Sequence, residues 1–388
     1  MPNIFDDVTL ILTVSLIVIF SPFFAKVFKL PTTPIEIIFG AFLGYIGLIH
    51  QQHLFDIVAK FGFLYLMFIA GTEIDLKKVL KTPMKLMKMI SLYLLLLYGF
   101  AFAFSLYFSF GKIFMVLLPL ISVGLIATLA KEYGKTPWLV LSMTAGGIGE
   151  VISIAALTLV SATLEFGGGI GLFQAILALI LFLLFMVLLF RSLQLLFWWF
   201  PEVSVALMPH DDNKEQDIRL SMGIFFILIA VMLYLHLELA FGAFLAGIFI
   251  PTFFEHKNGL PEKLSSYGFG FLIPIFFIHI GSTFNLEALF INGLVIQALV
   301  ITFVMIVMRL VSSLVFIKEV GVKNAILMGL SHSMPLTLLI AMATLAYTSK
   351  GIDEFNYFAL ILAALFQVLF VMLIIKVINL RVKEKVTT

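Results

Sequence analysis

Glu150 is the only carboxylate in the apolar run from about residue 138 to residue 164. A helix of that length crosses the roughly 30 Å hydrocarbon core of a bilayer. An acid held ionised at that depth costs roughly 2.5–3.5 kcal/mol or more, so such acids usually line a water-filled cavity or an ion path. Within Thr144-Ala145-Gly146-Gly147-Ile148-Gly149-Glu150-Val151-Ile152-Ser153, Gly146 and Gly147 share the helical face of Glu150 one turn before it, and Ser153 shares it one turn after. A carboxylate on a face bare of bulk, with a hydroxyl beside it, suits a small cation or a proton. The competing reading is an acid that pairs with a nearby cation for structure alone.

The elements that position this acid follow from composition. The chain has 388 residues, 62% of them hydrophobic and 12% charged, far from the balance of soluble domains. That makes it an integral membrane protein, and it is expected to be all-α and multi-pass, in the inner or plasma membrane. There is no Cys, so disulfide frameworks and cysteine metal sites are excluded. Asp6 and Asp7 stand where a signal peptide would be basic, and the first apolar run is expected to stay as a span.

Apolar runs set against charged and Pro/Gly breaks predict about thirteen transmembrane helices. They lie near 8–28, 33–50, 57–74, 84–110, 113–131, 138–164, 171–199, 220–236, 238–254, 266–284, 288–317, 322–348 and 355–379. Of the 24 Lys and Arg, twenty then fall in loops on one side, only Lys60, Lys112 and Lys350 on the other, and Arg309 within a span. The positive-inside rule places the N-terminus outside and the C-terminus in the cytoplasm.

Two segments recur. Ile35-Glu36-Ile37-Ile38-Phe39-Gly40-Ala41-Phe42-Leu43 is echoed 202 residues later by Leu237-Glu238-Leu239-Ala240-Phe241-Gly242-Ala243-Phe244-Leu245. Phe68 to Leu76 is echoed 210 residues later by Ile278 to Leu286. Helices two and three thus correspond to nine and ten, an odd number of spans away, so the copies enter the membrane from opposite sides. The expected organisation is two inverted six-helix repeats, residues 1–165 and 219–388, joined by a connector helix and cytoplasmic loop over 166–218. Inverted repeats are common in secondary transporters, where the site lies at the midplane.

The repeat also locates two helix breaks. Helix five carries Leu118-Pro119-Leu120-Ile121-Ser122-Val123-Gly124 in mid-span, and helix twelve carries Gly329-Leu330-Ser331-His332-Ser333-Met334-Pro335. Pro removes a backbone hydrogen bond, and interrupted helices at matching places in two halves point to a transport site. The expected ion- and proton-binding residues are Glu150, Ser122, Val123 and Ser153, with Glu150 as the ligand for a monovalent metal cation. Arg309, Gly149, Gly124, Ser333 and Met334 support them, Arg309 as a cation near Glu150 or as a side chain that snorkels to the interface.

Other polar residues have simpler readings. Glu36 and Glu238 are expected in first helical turns, where a negative charge suits the dipole. Glu73 and Asp75 are expected to pair with Lys77 and Lys78 at the surface. His279 and His332 are intramembrane, either neutral and hydrogen-bonded or sensitive to pH. Gly40 with Gly44, and Gly242 with Ala246, permit close helix packing within one chain or between two. Gly167-Gly168-Gly169-Ile170-Gly171 is expected to be a flexible turn. No HExxH, P-loop, GxSxG or dinucleotide fingerprint occurs, so the chain is not expected to be an enzyme or to bind nucleic acid.

These residues resemble the monovalent cation:proton antiporter-2 family, within the wider sodium/proton exchanger superfamily. Phe68 to Leu76 resembles that family's F-x-x-G-x-E-x-D-L ending of helix three, and Ile273-Pro274-Ile275-Phe276-Phe277-Ile278-His279-Ile280-Gly281 its P-x-F-F-x-x-x-G helix. Ser122 to Glu132 resembles the crossed helix, Glu150 falls where the family keeps an ion-binding Asp, and Arg309 lies near its intramembrane Lys or Arg. The sequence departs from the pattern at Gly149-Glu150, where Asn-Asp, Asp-Asp or Gln-Asp is usual, and in Ser331 to Pro335, which lacks an Arg-Gly-Glu. The chain ends at Thr388, so the resemblance extends to the transport domain and not to a cytosolic nucleotide-binding domain.

The resemblance implies a Na⁺ or K⁺/H⁺ antiporter working by alternating access, with no cofactor beyond the transported ions, and a homodimer in the bilayer. Helices four to six and eleven to thirteen would carry the site; one to three and eight to ten would form a scaffold. If Glu150 holds either a proton or a cation, never both, exchange at this single acid is one for one and electroneutral. Two other readings are a sodium-coupled symporter for an organic solute, which would need a roomy polar cavity, and a non-transporting membrane sensor.

Overall fold

The computed structural model describes residues 4–28, 31–49, 52–74, 81–134, 136–166, 170–200, 202–203, 215–254, 259–284 and 286–386. Lys29, Asp75, Lys77, Lys78, Lys135, Gly167 to Gly169, Lys214, Lys257 and Asn285 lie outside the described residues, and with them the expected Asp75 pairing and the glycine turn.

The described apolar runs are helical apart from two breaks. In chain order the helices are α1 (Ile4–Phe28), α2 (Thr32–Tyr45), α3 (His53–Thr72), α4 (Met84–Tyr107), α5 (Phe114–Leu117), α6 (Gly124–Tyr133), α7 (Pro137–Phe166) and α8 (Ile170–Trp199). Then come α9 (Gln216–Tyr234), α10 (Leu239–Phe253), α11 (Leu260–Tyr267), α12 (Ile273–Thr283), α13 (Leu294–Ser313), α14 (Ile317–His332), α15 (Leu336–Thr348) and α16 (Glu354–Val386). Nine stretches among the described residues are long and apolar enough to cross a membrane. Helix five of the sequence reading is α5 and α6 with a gap between them, and helix twelve is α14 and α15, parted at Ser333 to Pro335. The chain is a multi-pass membrane protein.

The chain divides into two compact units, Met1–Leu76 with Phe166–Phe290, and Lys77–Glu165 with Ile291–Thr388. Each unit therefore draws helices from both halves of the sequence.

In the first unit α10 packs on α3, and α12 packs on α2. Between lipid-immersed helices there is little hydrophobic drive, so close backbone approach through small residues supplies the attraction. Glycines make that approach here. A Cβ added to Gly71 would fall on the Phe244 carbonyl oxygen, and one on Gly281 would fall on that of Ile37. Gly40 faces Ile278, Gly44 faces Ser282, and Gly242 faces Leu228. The small-residue faces noted in the sequence are thus used within one chain.

The tenth predicted helix is not a plain α-helix. A π-helical turn, Gly268–Leu272, links α11 to α12. Gly268 lies under the Tyr65 ring, and the Tyr65 hydroxyl donates to the Leu264 carbonyl at 3.1 Å. Exposed Leu181, Leu184, Phe185 and Leu188 on α8 present the apolar surface a bilayer requires.

The second unit builds on α13, which packs against α4, α14 and α16. Fully buried Ala298, Ile301, Met305 and Met308 line its inner side. This unit contains Glu150, both helix breaks and Arg309.

Candidate ion-binding site

The first break follows from Pro119. Without an N–H, proline cannot continue the ladder from α5, and regular helix resumes only at Gly124. The break leaves amide hydrogens at the start of α6 and carbonyls at the end of α5 without helical partners, which concentrates partial positive and negative charge at the two ends.

Glu150, fully buried on α7, receives the positive end. The Val123 amide donates to Oε2 at 3.0 Å. The Ser122 hydroxyl donates to Oε1 at 3.2 Å. Ser153, one turn on, accepts from the Ile121 amide through its Oγ at 3.4 Å. A buried carboxylate held by a helix N-terminus and a hydroxyl is a built anionic site, able to take up a positive ion.

The glycines around it explain how α7 lies so close. A Cβ at Gly149 would stand 2.6 Å from Ile121 Cδ1, and one at Gly146 would meet Val123 Cγ2 at 3.3 Å and His332 Nε2 at 3.5 Å. The bare face is thus filled by the broken segment itself. At Gly124 a Cβ would lie 3.9 Å from Thr337 Oγ1 and 4.0 Å from Ser122 Oγ. A side chain there would touch both hydroxyls.

Arg309 takes the negative end. It is fully buried, and its Nη2 donates to the Leu118 carbonyl at 2.9 Å and also to that of Leu120. Nη1 donates to Met305 O, one turn back on α13, at 2.9 Å. This corrects the reading of Arg309 as a side chain that snorkels to the interface. The guanidinium holds the break, because orphan carbonyls are the nearest partners for its fork of donors.

The second break brings a residue that sequence reasoning missed. Thr337, in the first turn of α15, places its Oγ1 3.2 Å from Ser122 Oγ. Ser333, expected at the site, turns its hydroxyl back to Gly329 O at 2.8 Å, and Met334 is buried as an apolar filler. His332 Nε2 lies 3.0 Å from Ser142 O, and the Tyr93 hydroxyl lies 2.8 Å from its Nδ1. A carbonyl only accepts, so Nε2 carries the hydrogen and Nδ1 accepts from Tyr93. This ring ties α14 to α7 and α4. Ser331 adds to the tie, its Oγ 2.9 Å from Ser142 Oγ.

The first unit holds separate polar pairs. Glu36 lies beyond the first turn of α2, is buried, and accepts from Ser21 at 3.3 Å. That corrects its expected place in the first helical turn. Glu238 is the N-cap residue of α10. His279 Nε2 stands 2.6 Å from Asp56 Oδ1.

The model of the transmembrane sodium/hydrogen exchanger family matches residues 11–379. The chain belongs to that family.

Among its relatives is a protein of Methanocaldococcus jannaschii named "Probable Na(+)/H(+) antiporter 3", 27% identical over 329 residues, which cover 80% of this chain and 81% of that one. Another is the Na⁺/H⁺ antiporter NhaS4 of Synechocystis, 23% identical over 256 residues, 60% of this chain and 59% of that one. The structure of the sodium proton antiporter MjNhaP1 from Methanocaldococcus jannaschii superposes with a TM-score of 0.68 at 14% identity, covering 96% of this chain and 97% of that one. That likeness is one of fold. These relatives are named as transporters, and this family member is not an enzyme.

Proposed function

We propose that this exchanger-family chain is a Na⁺/H⁺ or K⁺/H⁺ antiporter, and that Glu150 is the one acid at which cation and proton compete. The observation that carries the reading is the fully buried Glu150 carboxylate, met by the Ser122 hydroxyl and the Val123 amide at a helix break. The family match and the names of the relatives support sodium/proton exchange; sodium is the first cation to test and potassium the second.

The proposed cycle is short. Ionised Glu150 binds a monovalent cation, with Ser122 as a second oxygen ligand. Release on the far side lets Glu150 take a proton, which it carries back. Cation and proton each neutralise one negative charge, so exchange is one for one and electroneutral. Alternating access, rather than an open channel, keeps the two loadings separate.

Several further features belong to the same proposal. The six-helix halves 1–165 and 219–388 form inverted repeats about the 166–218 connector, the N-terminus is outside, and the protein works as a homodimer. Within the family, the resemblance of the Phe68–Leu76 and Ile273–Gly281 sequences supports the monovalent cation:proton antiporter-2 branch.

Reconstituted liposomes with an internal pH dye test the function. A sodium or potassium pulse should move protons with the wild-type protein, insensitive to a potassium-independent membrane-potential clamp, and not with Glu150→Gln. Wild-type exchange by Glu150→Gln overturns the proposal. Sodium-dependent uptake of an organic solute without proton movement would favour the symporter.

A further inference from the structure

We infer that Thr337 is a positioning residue for cation binding, acting through Ser122; the inference rests on the reading of Glu150 and Ser122 as the cation site. Nothing in the relatives' names or in the sequence motifs singles it out. The observation is a row of three polar groups, Thr337 Oγ1 to Ser122 Oγ at 3.2 Å and Ser122 Oγ to Glu150 Oε1 at 3.2 Å.

A serine hydroxyl has one hydrogen and two lone pairs. In the geometry described, that hydrogen points at the carboxylate, and Thr337 can donate its own hydrogen to Ser122. A cation drawn to Glu150 changes what Ser122 must do. To serve as a ligand, its oxygen has to offer a lone pair to the cation, and its hydrogen has to leave that side. Thr337 Oγ1 is the acceptor in place to receive it. The row then reverses, with Ser122 donating to Thr337. Without an acceptor, the hydroxyl either keeps its hydrogen toward the cation or leaves it without a partner in a buried site, which is costly.

Two features of the fold support this role. Ser122 and Thr337 are buried at 4% and 7% exposure, so bulk water is a poor substitute. A Cβ at Gly124 would lie in contact range of both oxygens, 3.9 Å from Thr337 Oγ1 and 4.0 Å from Ser122 Oγ, so this glycine keeps a side chain off them. Thr337 comes from the second helix break and Ser122 from the first, so the contact also makes cation affinity depend on how the two breaks meet.

The test uses full-length protein in liposomes, with sodium and potassium each titrated at fixed pH. Thr337→Val keeps the shape and removes the hydroxyl. It should raise the cation KM about tenfold while the maximal rate stays within twofold, and Thr337→Ser should return KM to within twofold of wild type. In a Ser122→Ala background, Thr337→Val should add almost nothing, as expected for residues acting through one another. An unchanged KM in Thr337→Val overturns the inference. So does a Thr337→Ser KM as high as that of valine, because packing would then explain the effect. Additive effects with Ser122→Ala overturn it too. If the valine protein does not fold, Thr337→Ala replaces it with the same expectations. Failure of the underlying site reading looks different, since Glu150→Gln would then exchange normally.

Discussion

Arg309 Nη2 donates to the carbonyl oxygen of Leu118, 191 residues earlier in the chain, at 2.9 Å. The bond places a buried positive charge at the carbonyl end of the first helix break, while its amide end faces Glu150. The break is thereby matched at both ends by opposite charge, and its shape depends on a helix from the other half of the sequence.

Removing the guanidinium should loosen the break. In Arg309→Met the Leu118 and Leu120 carbonyls lose a charged donor, each such bond being worth about 1.5–3 kcal/mol. At about 2–4 °C per kcal/mol, melting in detergent should fall by roughly 5 °C or more, with most exchange lost. Arg309→Lys keeps the charge but not the fork, and should fall between the two. A Met variant that melts like wild type would refute the assignment.

Gly149 is a packing position. Its missing Cβ would stand 2.6 Å from Ile121 Cδ1 and 3.3 Å from Leu94 Cδ2. Gly149→Ala should destabilise the protein by up to about 2 kcal/mol, overpacking partly offset by helix propensity, and weaken cation affinity by displacing the Ile121 side chain. Ile121→Val in the same chain should recover part of both losses. Thermal melting and the cation KM, measured together on the single and double variants, check this.

Tyr93→Phe deletes the hydroxyl that donates to His332 Nδ1. A buried acceptor left without its donor costs about 1–3 kcal/mol. Faster hydrogen exchange in α14 and the start of α15 is the expected signature, with α1 and α2 unaffected. Equal protection in both proteins would show that the Tyr93–His332 bond contributes nothing.

Two glycines in different settings give a paired test. Gly71→Ala puts a methyl group onto the Phe244 carbonyl and should sharply reduce the yield of folded protein. Gly99, in mid α4, has no atom within 4 Å of an added Cβ. Gly99→Ala should be neutral or stabilising by up to about 1 kcal/mol, from helix propensity. Similar yields for both would mean that close approach of α3 and α10 is dispensable.

Much of the candidate site was legible because its residues break local rules. A lone acid in an apolar run and Pro-Ser-Gly interruptions in two spans stand out against leucines and phenylalanines. Thr337 does not. Thr302 on α13 and Thr344 on α15 bond back to their own helices, and a threonine facing Ser122 has the same sequence appearance. Which way it faces depends on the rotation of α15 after Pro335. The partners of Arg309 were hidden for another reason, since main-chain carbonyls are identical at every position. Glu36 falls just past the first turn because its helix starts at Thr32, one residue before the expected start, and its burial against Ser21 depends on tertiary packing. The π turn at Gly268–Leu272 reflects tertiary fit against Tyr65 rather than any local period.

Ser122 and Thr337 are 215 residues apart, and the unit that contains them is finished only by the last helices. At roughly 5–20 residues per second of synthesis, Glu150 waits on the order of 10–40 s in the membrane before its hydroxyl row is complete. A nascent chain arrested during that interval has the acid and the first break, but not the second.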